Sequence, residues 1–172
     1  MKLFDRKTSL QKKYPLITWQ DTPILRAVCD PIKKITPEIK EFAKALQELM
    51  RAYEWVGLAA PQIGQNHRMA AVTQRDTSER DKDGRVIWDL TKEFVMINPK
   101  ILAASDNLKT DNEACLSLPW INGDVARPHQ ITIQYLWVDG KTHVHKATGF
   151  NARVILHEMD HLDGVLFIDK LA

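Results

Sequence analysis

The sequence predicts one α+β domain in which small antiparallel sheets pack around a C-terminal helix that carries an HExxH pattern. Apolar residues recur at helical spacing early in the chain and again near its end. Between these two stretches lie several short segments in which apolar and polar residues alternate, as in half-buried strands. Turn residues rather than helices separate the segments, which argues against repeated βαβ units. A chain of 172 residues is long enough to form one such domain.

The composition is that of an ordinary globular protein, with 44% hydrophobic and 27% charged residues. A net charge of +2 predicts neither nucleic-acid binding nor attraction to a membrane surface. No apolar run approaches the roughly 20 residues that cross a bilayer. Two cysteines, Cys29 and Cys115, are too few for a disulfide framework and favour a reducing compartment. We therefore expect a cytoplasmic protein, and the basic N-terminus leaves an organelle as the alternative.

The first third of the chain is expected to hold an arm and a helix. Residues 1–15 are polar and are predicted to form an arm, and residues 16–172 the domain. Leu16–Thr18 is a candidate short strand. A helix is predicted to start at Pro37 with Thr36 as its N-cap. Its apolar residues recur at helical spacing and are expected to face the core. They are Ile39, Phe42, Ala43, Leu46, Leu49, Met50 and Tyr53.

The remainder is expected to contain strands and then one more helix. The predicted strands are Met69–Thr73, Phe94–Asn98 with a continuation at Ile101–Ala104 beyond Pro99, Gln130–Val138 and Thr142–Thr148. Asp139 and Gly140 predict a hairpin between the last two. The charged residues 74–92 are expected to form a solvated loop or a long hairpin. The last helix is predicted over Ala152–Leu162, with Asn151 as N-cap and Gly164 as stop.

Within that helix, the spacing of His157 and His161 is typical of a metal site. Residues four apart lie on one helical face, so both imidazoles can reach one cation, while Glu158 lies near a metal-bound water. Paired histidines on a helix can also be plain surface residues. The metalloprotease families that share this pattern take a third ligand further along the chain, but position 167 is Phe167 and the chain ends at Ala172. A third ligand must therefore come from upstream, which argues against those proteases.

Six upstream residues could supply this third ligand. They are Cys29, His67, Cys115, His129, His143 and His145. His143 and His145 share one strand face, a pattern typical of an exposed hairpin, and Cys29 is typical of a small buried apolar residue. Cys115 with two imidazoles would leave a fourth position for water, as catalytic metal sites do.

Three segments together resemble the signature motifs of peptide deformylases, in the order of that family. They are Gly57–Gln62, Glu113–Ser117 and His157–His161. Small residues between 55 and 64 would by themselves favour a packing turn over a ligand loop. The resemblance also includes residues 21–26, 125–127 and 152–153, and it covers Ile17 to Ile168.

The resemblance implies metal-dependent hydrolysis of the formyl group from N-formylmethionyl peptides, with release of formate. It implies Cys115, His157 and His161 as metal ligands. Glu158 would be the acid/base, and the Gln62 amide with the Leu116 backbone N–H would stabilise the oxyanion. The implied metal is one Fe(II) ion, with Zn, Ni or Co as alternatives. The ligand set suits zinc as well as iron, and the ligands alone would favour zinc.

The resemblance also implies how a formylated peptide is held. Val56 and Gly57 would pair with it as with an added strand. Arg127 would either hold the peptide or form a structural ion pair, and the sequence favours neither. The expected partner is thus a formylated peptide, without specific nucleic-acid or membrane binding.

Three residues depart from the family pattern, namely Trp55, Ala114 and Leu156. They leave two alternative functions open: a divergent relative acting on another N-acyl amide, and a weakly active or non-catalytic metal-binding homologue. Glu158 argues against a purely structural metal, which needs no base. Trp55 is expected either to pack against the first helix or to cover the mouth of the site.

Overall fold

The computed structural model describes residues 3–75, 83 and 92–172, and it confirms the predicted α+β architecture. Most of the segment predicted as a loop between residues 74 and 92 lies outside these residues. The helices are α1 (Leu3–Lys13), α2 (Pro37–Ala52) and α3 (Gly149–Leu162). The strands are β1 (Gly57–Ala59), β2 (Met69–Gln74), β3 (Lys92–Ala104), β4 (Leu108–Cys115), β5 (Leu118–Pro128), β6 (Gln130–Leu136) and β7 (Thr142–Thr148). Short 3₁₀ turns span Pro23–Arg26, Ala60–Ile63 and Phe167–Lys170.

The strands form two antiparallel sheets. Five of them pair in the order β1-β2-β3-β6-β7, and β4 pairs with β5 in a separate hairpin. The larger sheet is covered on both faces near β2: Ala70 and Val72 pack in the core cluster with α3, while Met69 and Ala71 pack in the cluster with α2. Because both faces are buried, β2 is apolar at successive positions rather than alternating.

The two helices predicted by periodicity are present. At the start of α2, the Thr36 hydroxyl accepts a hydrogen bond of 3.4 Å from the Ile39 N–H, which confirms the predicted cap. At the end of α3, Gly164 has φ 71°, and a β-carbon there would lie 2.5 Å from the Arg26 carbonyl oxygen. Only glycine satisfies both conditions, so this stop is also confirmed.

The predicted N-cap of α3 is wrong, because the helix begins earlier. Thr148 is the N-cap, and Asn151 lies within the first turn. The Asn151 amide instead accepts a 3.0 Å hydrogen bond from the Arg75 N–H and donates one of 2.9 Å to the Arg75 carbonyl. Asn151 thus joins the helix to the end of β2.

Two further strand predictions need correction. Residues Leu16–Thr18 form no strand, although the Ile17 N–H donates a 2.8 Å bond to the Gln62 carbonyl. The break predicted at Pro99 is also absent, since β3 continues through it. A register shift between Ile97 and Lys100, with φ 50° at Asn98, lets the strand accommodate the proline.

The segment predicted as an N-terminal arm contains the helix α1. Its Arg6 forms a 2.7 Å ion pair with Glu48 of α2, and Leu10 packs against the core cluster of α2. Across the described ranges, no helix combines the length and the apolar character needed to cross a membrane.

Candidate active site

The three predicted ligand side chains meet in the interior. His157 and His161 lie on one face of α3, and Cys115 lies at the end of β4. All three are buried, and one ligand atom from each lies within 4.8 Å of the others. Ligand atoms about 2.0–2.3 Å from a tetrahedral ion lie roughly 3.3–3.7 Å apart. Cys115 Sγ lies 3.2 Å from His161 Nε2, so the donors fit one metal ion.

The orientation of His157 is fixed by Glu113. His157 Nδ1 lies 2.9 Å from Glu113 Oε2, and because a carboxylate only accepts, the proton of this hydrogen bond is on Nδ1. The other ring nitrogen is then left for a metal, as in many metal sites. The sequence contained a signal for Glu113 that was missed. It precedes Cys115 by two residues on a strand, so both side chains point to the same face.

Glu113 is the centre of a buried ion-pair network. Arg127 donates to both of its oxygens, at 2.5 and 2.8 Å, and Arg153 donates to one of them at 2.7 Å. Burial by itself would raise the Glu113 pKa, but hydrogen bonds from Arg127 and His157 hold that pKa well below its usual range. The carboxylate is therefore ionised and keeps its charge beside the ligand cluster.

Arg127 is almost completely buried and so has little surface with which to bind a peptide. Its side chain is 4% exposed and also donates to Asp160 Oδ2 at 2.8 Å, in addition to its two bonds to Glu113. Of the two interpretations of Arg127, these contacts favour the structural ion pair. Arg153 and Asp160, which sequence reasoning missed, are parts of the same network.

The two imidazoles differ in their attraction for a proton. Burial lowers the pKa of His157, but its hydrogen bonds with Cys115 and Glu113 outweigh burial and raise that pKa to about 10. Burial lowers the pKa of His161 well below its ordinary value, and the neighbouring charge on His157 lowers it further. A cation that binds the cluster therefore displaces a proton held at His157.

Glu158 is a buried carboxyl group with a free oxygen. It is 2% exposed, and its Oε2 has no hydrogen-bond partner among the described residues. Burial raises its pKa to about 7, against the lowering effect of the charge on His157. An unpaired buried carboxyl group costs stability, and such perturbed groups concentrate at functional sites.

The Gln62 side chain is fixed towards Cys115. Its Oε1 accepts a 2.8 Å hydrogen bond from the Ala59 N–H, so its Nε2 must point the other way. Nε2 lies 3.4 Å from Cys115 Sγ and 3.3 Å from Ser117 Oγ. Leu116 lies between these two residues, in the turn from β4 to β5. The two predicted oxyanion donors are thus both beside the ligand cluster.

A cavity of about 170 Å³ opens beside Glu158. It is lined by helix α3, by the end of β4 and by Trp55 and Val56, the two residues that lead into β1. Its lining residues are Trp55, Val56, Asn112, Glu113, Ala114, Phe150, Arg153, Val154, His157 and Glu158. β1 is an edge strand of the larger sheet, and within the described part of the chain β4 pairs only with β5. A slot with a strand edge on each side therefore leads to the cluster.

A sequence profile of the polypeptide deformylase family matches residues 14–172. The chain belongs to this family. A peptide deformylase from Roseiflexus castenholzii is 39% identical over 150 residues, which cover 86% of this chain and 81% of the relative. Peptide deformylases are metal-dependent hydrolases, and this chain hydrolyses the formyl group from N-formylmethionyl peptides.

Solved structures of the family share the fold. The peptide deformylase of Thermotoga maritima aligns with a TM-score of 0.79 and 31% identity, over 92% of this chain and 97% of that one. A class I type b peptide deformylase from Acinetobacter baumannii, with Met-Ala-Ser bound, aligns with a TM-score of 0.79 and 29% identity over 92% and 98% of the two chains.

Proposed function

We propose that deformylation by this chain uses Cys115, His157 and His161 as metal ligands and Glu158 as the base. The observation that carries this assignment is the free oxygen of buried Glu158, which stands beside the ligand cluster at the head of the slot. Glu158→Gln is nearly isosteric but cannot accept a proton. The test is formate release from a formyl-Met peptide, which should fall by several orders of magnitude in this variant while the metal is retained. Substantial activity in Glu158→Gln would contradict the assignment.

The metal we propose is one divalent ion. A thiolate and two imidazoles suit Fe(II) and Zn equally, and similarity to the family favours Fe(II). When bound, such an ion lowers the pKa of water towards neutrality and polarises a carbonyl group. Metal analysis of anaerobically purified protein, compared with activity after reconstitution with Fe(II), Zn, Ni or Co, identifies the ion. A preparation that is most active with zinc would contradict the Fe(II) assignment.

Glu158 moves the proton in the proposed reaction. Its carboxylate accepts a proton from the attacking water and then delivers it to the departing amine. A pKa of about 7 suits both steps, because the group is partly ionised at neutral pH and returns the proton readily. The buried position also keeps bulk water from competing for this proton.

Gln62 and Leu116 are the proposed donors to the oxyanion that develops on the formyl oxygen. The bond from the Ala59 N–H holds the Gln62 amide in place before substrate binds. Such preorganised donors need no reorientation during the reaction, and loss of one costs about 3–4 kcal/mol in the barrier. Gln62→Leu is therefore expected to lower kcat far more than it raises KM.

Val56 and Gly57 are the proposed pairing partners of the peptide backbone. Val56 lines the slot across from Ala114 of β4, and Gly57 follows it as the first residue of the edge strand β1. An extended peptide that enters there can add to a strand edge through main-chain hydrogen bonds. This mode binds many sequences, because the bonds do not depend on side chains. Formyl peptides in which the second amide is N-methylated should bind more weakly.

Beyond formyl-Met peptides, another N-acyl amide is a second candidate substrate. The aromatic side chains of Trp55 and Phe150 both line the cavity beside Glu158 and limit its size. Turnover of formyl-Met, acetyl-Met and other formylated amines, measured side by side, separates the two candidates. A preference for any substrate other than formyl-Met would favour the second candidate.

We also propose a cytoplasmic location. Cys29 and Cys115 are both free and buried, and Cys115 must remain reduced to serve as a ligand. Cell fractionation with an antibody against the chain tests this location.

A further inference from the structure

Trp120 combines full exposure with a strained backbone. Its side chain is 93% exposed, and its φ of 71° is in the left-handed region that bulky residues rarely adopt. Packing does not offset this strain, because the indole makes few contacts with the rest of the protein. Strain of this kind concentrates where a residue has a task outside the fold.

Trp120 lies on β5, the strand that pairs with the slot-lining strand β4. In the β4–β5 hairpin, Cys115 pairs with Leu118 and Ala114 pairs with Asn122, so Pro119–Ile121 form a bulge that projects from β5. Ala114 lines the cavity next to Glu158. A peptide added to the other edge of β4 would lie two strand spacings, roughly 10 Å, from β5. An indole on the bulge and a long apolar side chain of the peptide, on the same face of the hairpin, can together close this distance.

The chemistry of the hairpin favours a peptide over a nucleic acid as the ligand of Trp120. Along the hairpin, two pairs beyond the Ala114–Asn122 pair that borders the bulge, Asn112 pairs with Asp124, and Asp111 follows; the two aspartates would repel phosphates. An exposed indole gains most from covering an apolar side chain.

We propose that Trp120 is a specificity-determining residue that binds an apolar side chain in the second or third residue of the formylated peptide. This inference rests on the proposed function of the slot. Trp120 contacts neither the ligand cluster nor Glu158, so it is expected to act on KM and to leave kcat little changed.

The test compares Trp120→Gly with a matched variant. Trp19 is also exposed, at 57%, and strained, with φ 77°, but its N–H donates to the Ser117 carbonyl outside the bulge. Glycine accepts both φ values, so neither variant adds strain. The substrates are formyl-Met-Leu-Phe and formyl-Met-Ser-Ser. The ratio of their kcat/KM values should fall two- to tenfold in Trp120→Gly and stay unchanged in Trp19→Gly.

Other outcomes overturn the inference. An unchanged ratio in Trp120→Gly means that the indole does not touch the peptide, and an equal fall in Trp19→Gly means that the effect is not specific to the bulge. Calorimetric binding of Met-Leu-Phe and Met-Ser-Ser to both variants repeats the comparison without turnover. Equal loss of both peptides also overturns it. Failure of the proposed function is a separate result, namely no formate release by the unaltered chain from either substrate.

Discussion

Gly57 and Glu158 are in such close contact that a β-carbon on Gly57 would overlap the Glu158 carboxylate and its side-chain carbons. Gly57 does not need glycine for its backbone angles, since it lies in the ordinary β1 strand. Space rather than backbone strain therefore favours glycine there, because a β-carbon would have to displace the Glu158 side chain. The edge strand that forms one side of the slot thus also positions the proposed base.

We predict that Gly57→Ala pushes Glu158 out of place. Formate release should fall at least a hundredfold, because a displacement of about 1 Å costs an active site that much. Metal content should be unchanged. The control is Gly140→Ala: no atom lies within 4 Å of a β-carbon there, but φ is +83°. This control should lose stability and keep its kcat, and the reverse pattern in the two variants would contradict the prediction.

The chain offers a direct comparison of its two cysteines. Cys115→Ala should lose most of the metal, because two imidazoles alone make a poor site. Cys29 is 2% exposed and lies outside the ligand cluster, so Cys29→Ala should keep one metal ion per chain. Elemental analysis of both purified variants checks the prediction. Full metal occupancy in Cys115→Ala would refute the proposed ligand set.

The sequence predicted those elements in which local pattern and tertiary packing agree. Helix α2 has a capping residue and an apolar stripe, and β6 and β7 alternate around a two-residue turn, so short-range rules suffice. The hairpin of β4 and β5 was missed. Most of β4 is exposed, so its sequence lacks the alternation of apolar and polar residues that predicts a strand. The N-cap role predicted for Asn151 was wrong because its side chain bonds to the backbone of Arg75, which is distant in sequence.

Within the site, the motifs indicated the metal ligands but not the residues that fix the ligand side chains in position. Sequence spacing could have indicated two of these supporting residues. Glu113 lies two positions before Cys115 on a strand, and Arg153 lies four before His157 on a helix, so each shares a face with a ligand. What no spacing could reveal is that these residues meet each other, because β4 and α3 are brought together only by the fold. The role of Arg127 was likewise undecidable until its burial was known.

Removing the Arg127 side chain should mainly destabilise the protein. Arg127→Ala breaks a buried ion pair, which typically costs about 3–5 kcal/mol, or roughly 6–20 °C in Tm. KM for a formylated peptide should change little in the folded variant. Lys170→Ala, which removes the other, exposed partner of Asp160, is the control and should cost no more than about 1 kcal/mol. A large rise in KM at unchanged Tm would show that Arg127 holds the peptide.

Acidification should destabilise the chain in part through His145. Burial lowers the pKa of His145 below its ordinary 6.5, so around that pH the unfolded state binds more protons than the folded state. The contribution of His145 to stability is therefore full above pH 6.5 and is lost as the pH falls towards the lowered pKa. His145→Phe keeps an aromatic ring beside Phe94 and removes the titrating group.

Urea unfolding of the wild type and His145→Phe at pH 7.5 and 5.5 measures this effect. Taking the difference between the two proteins cancels the titration of all other groups. The stability of the wild type relative to the variant should fall on acidification. An identical pH dependence in both proteins would exclude His145 as a cause.

Of the three residues that depart from the family pattern, Trp55 and Ala114 line the cavity beside Glu158, and Trp55 has the larger side chain. It is half-buried and lines the cavity with Phe150 beside Glu158, and it belongs to none of the core clusters among the described residues. These contacts favour a role at the mouth of the site over packing against α2.

If Trp55 limits the cavity, Trp55→Gly should enlarge it by much of the volume of an indole. Substrates whose first residue is bulkier than methionine should then gain, so kcat/KM for formyl-Phe-Ala-Ser should rise severalfold relative to formyl-Met-Ala-Ser. Trp137→Gly is the matched control, because Trp137 packs against the core cluster of α3 rather than the cavity. It should lower Tm and leave the substrate ratio as in the wild type. A lowered Tm with an unchanged ratio in Trp55→Gly as well would show that Trp55 has only a packing role.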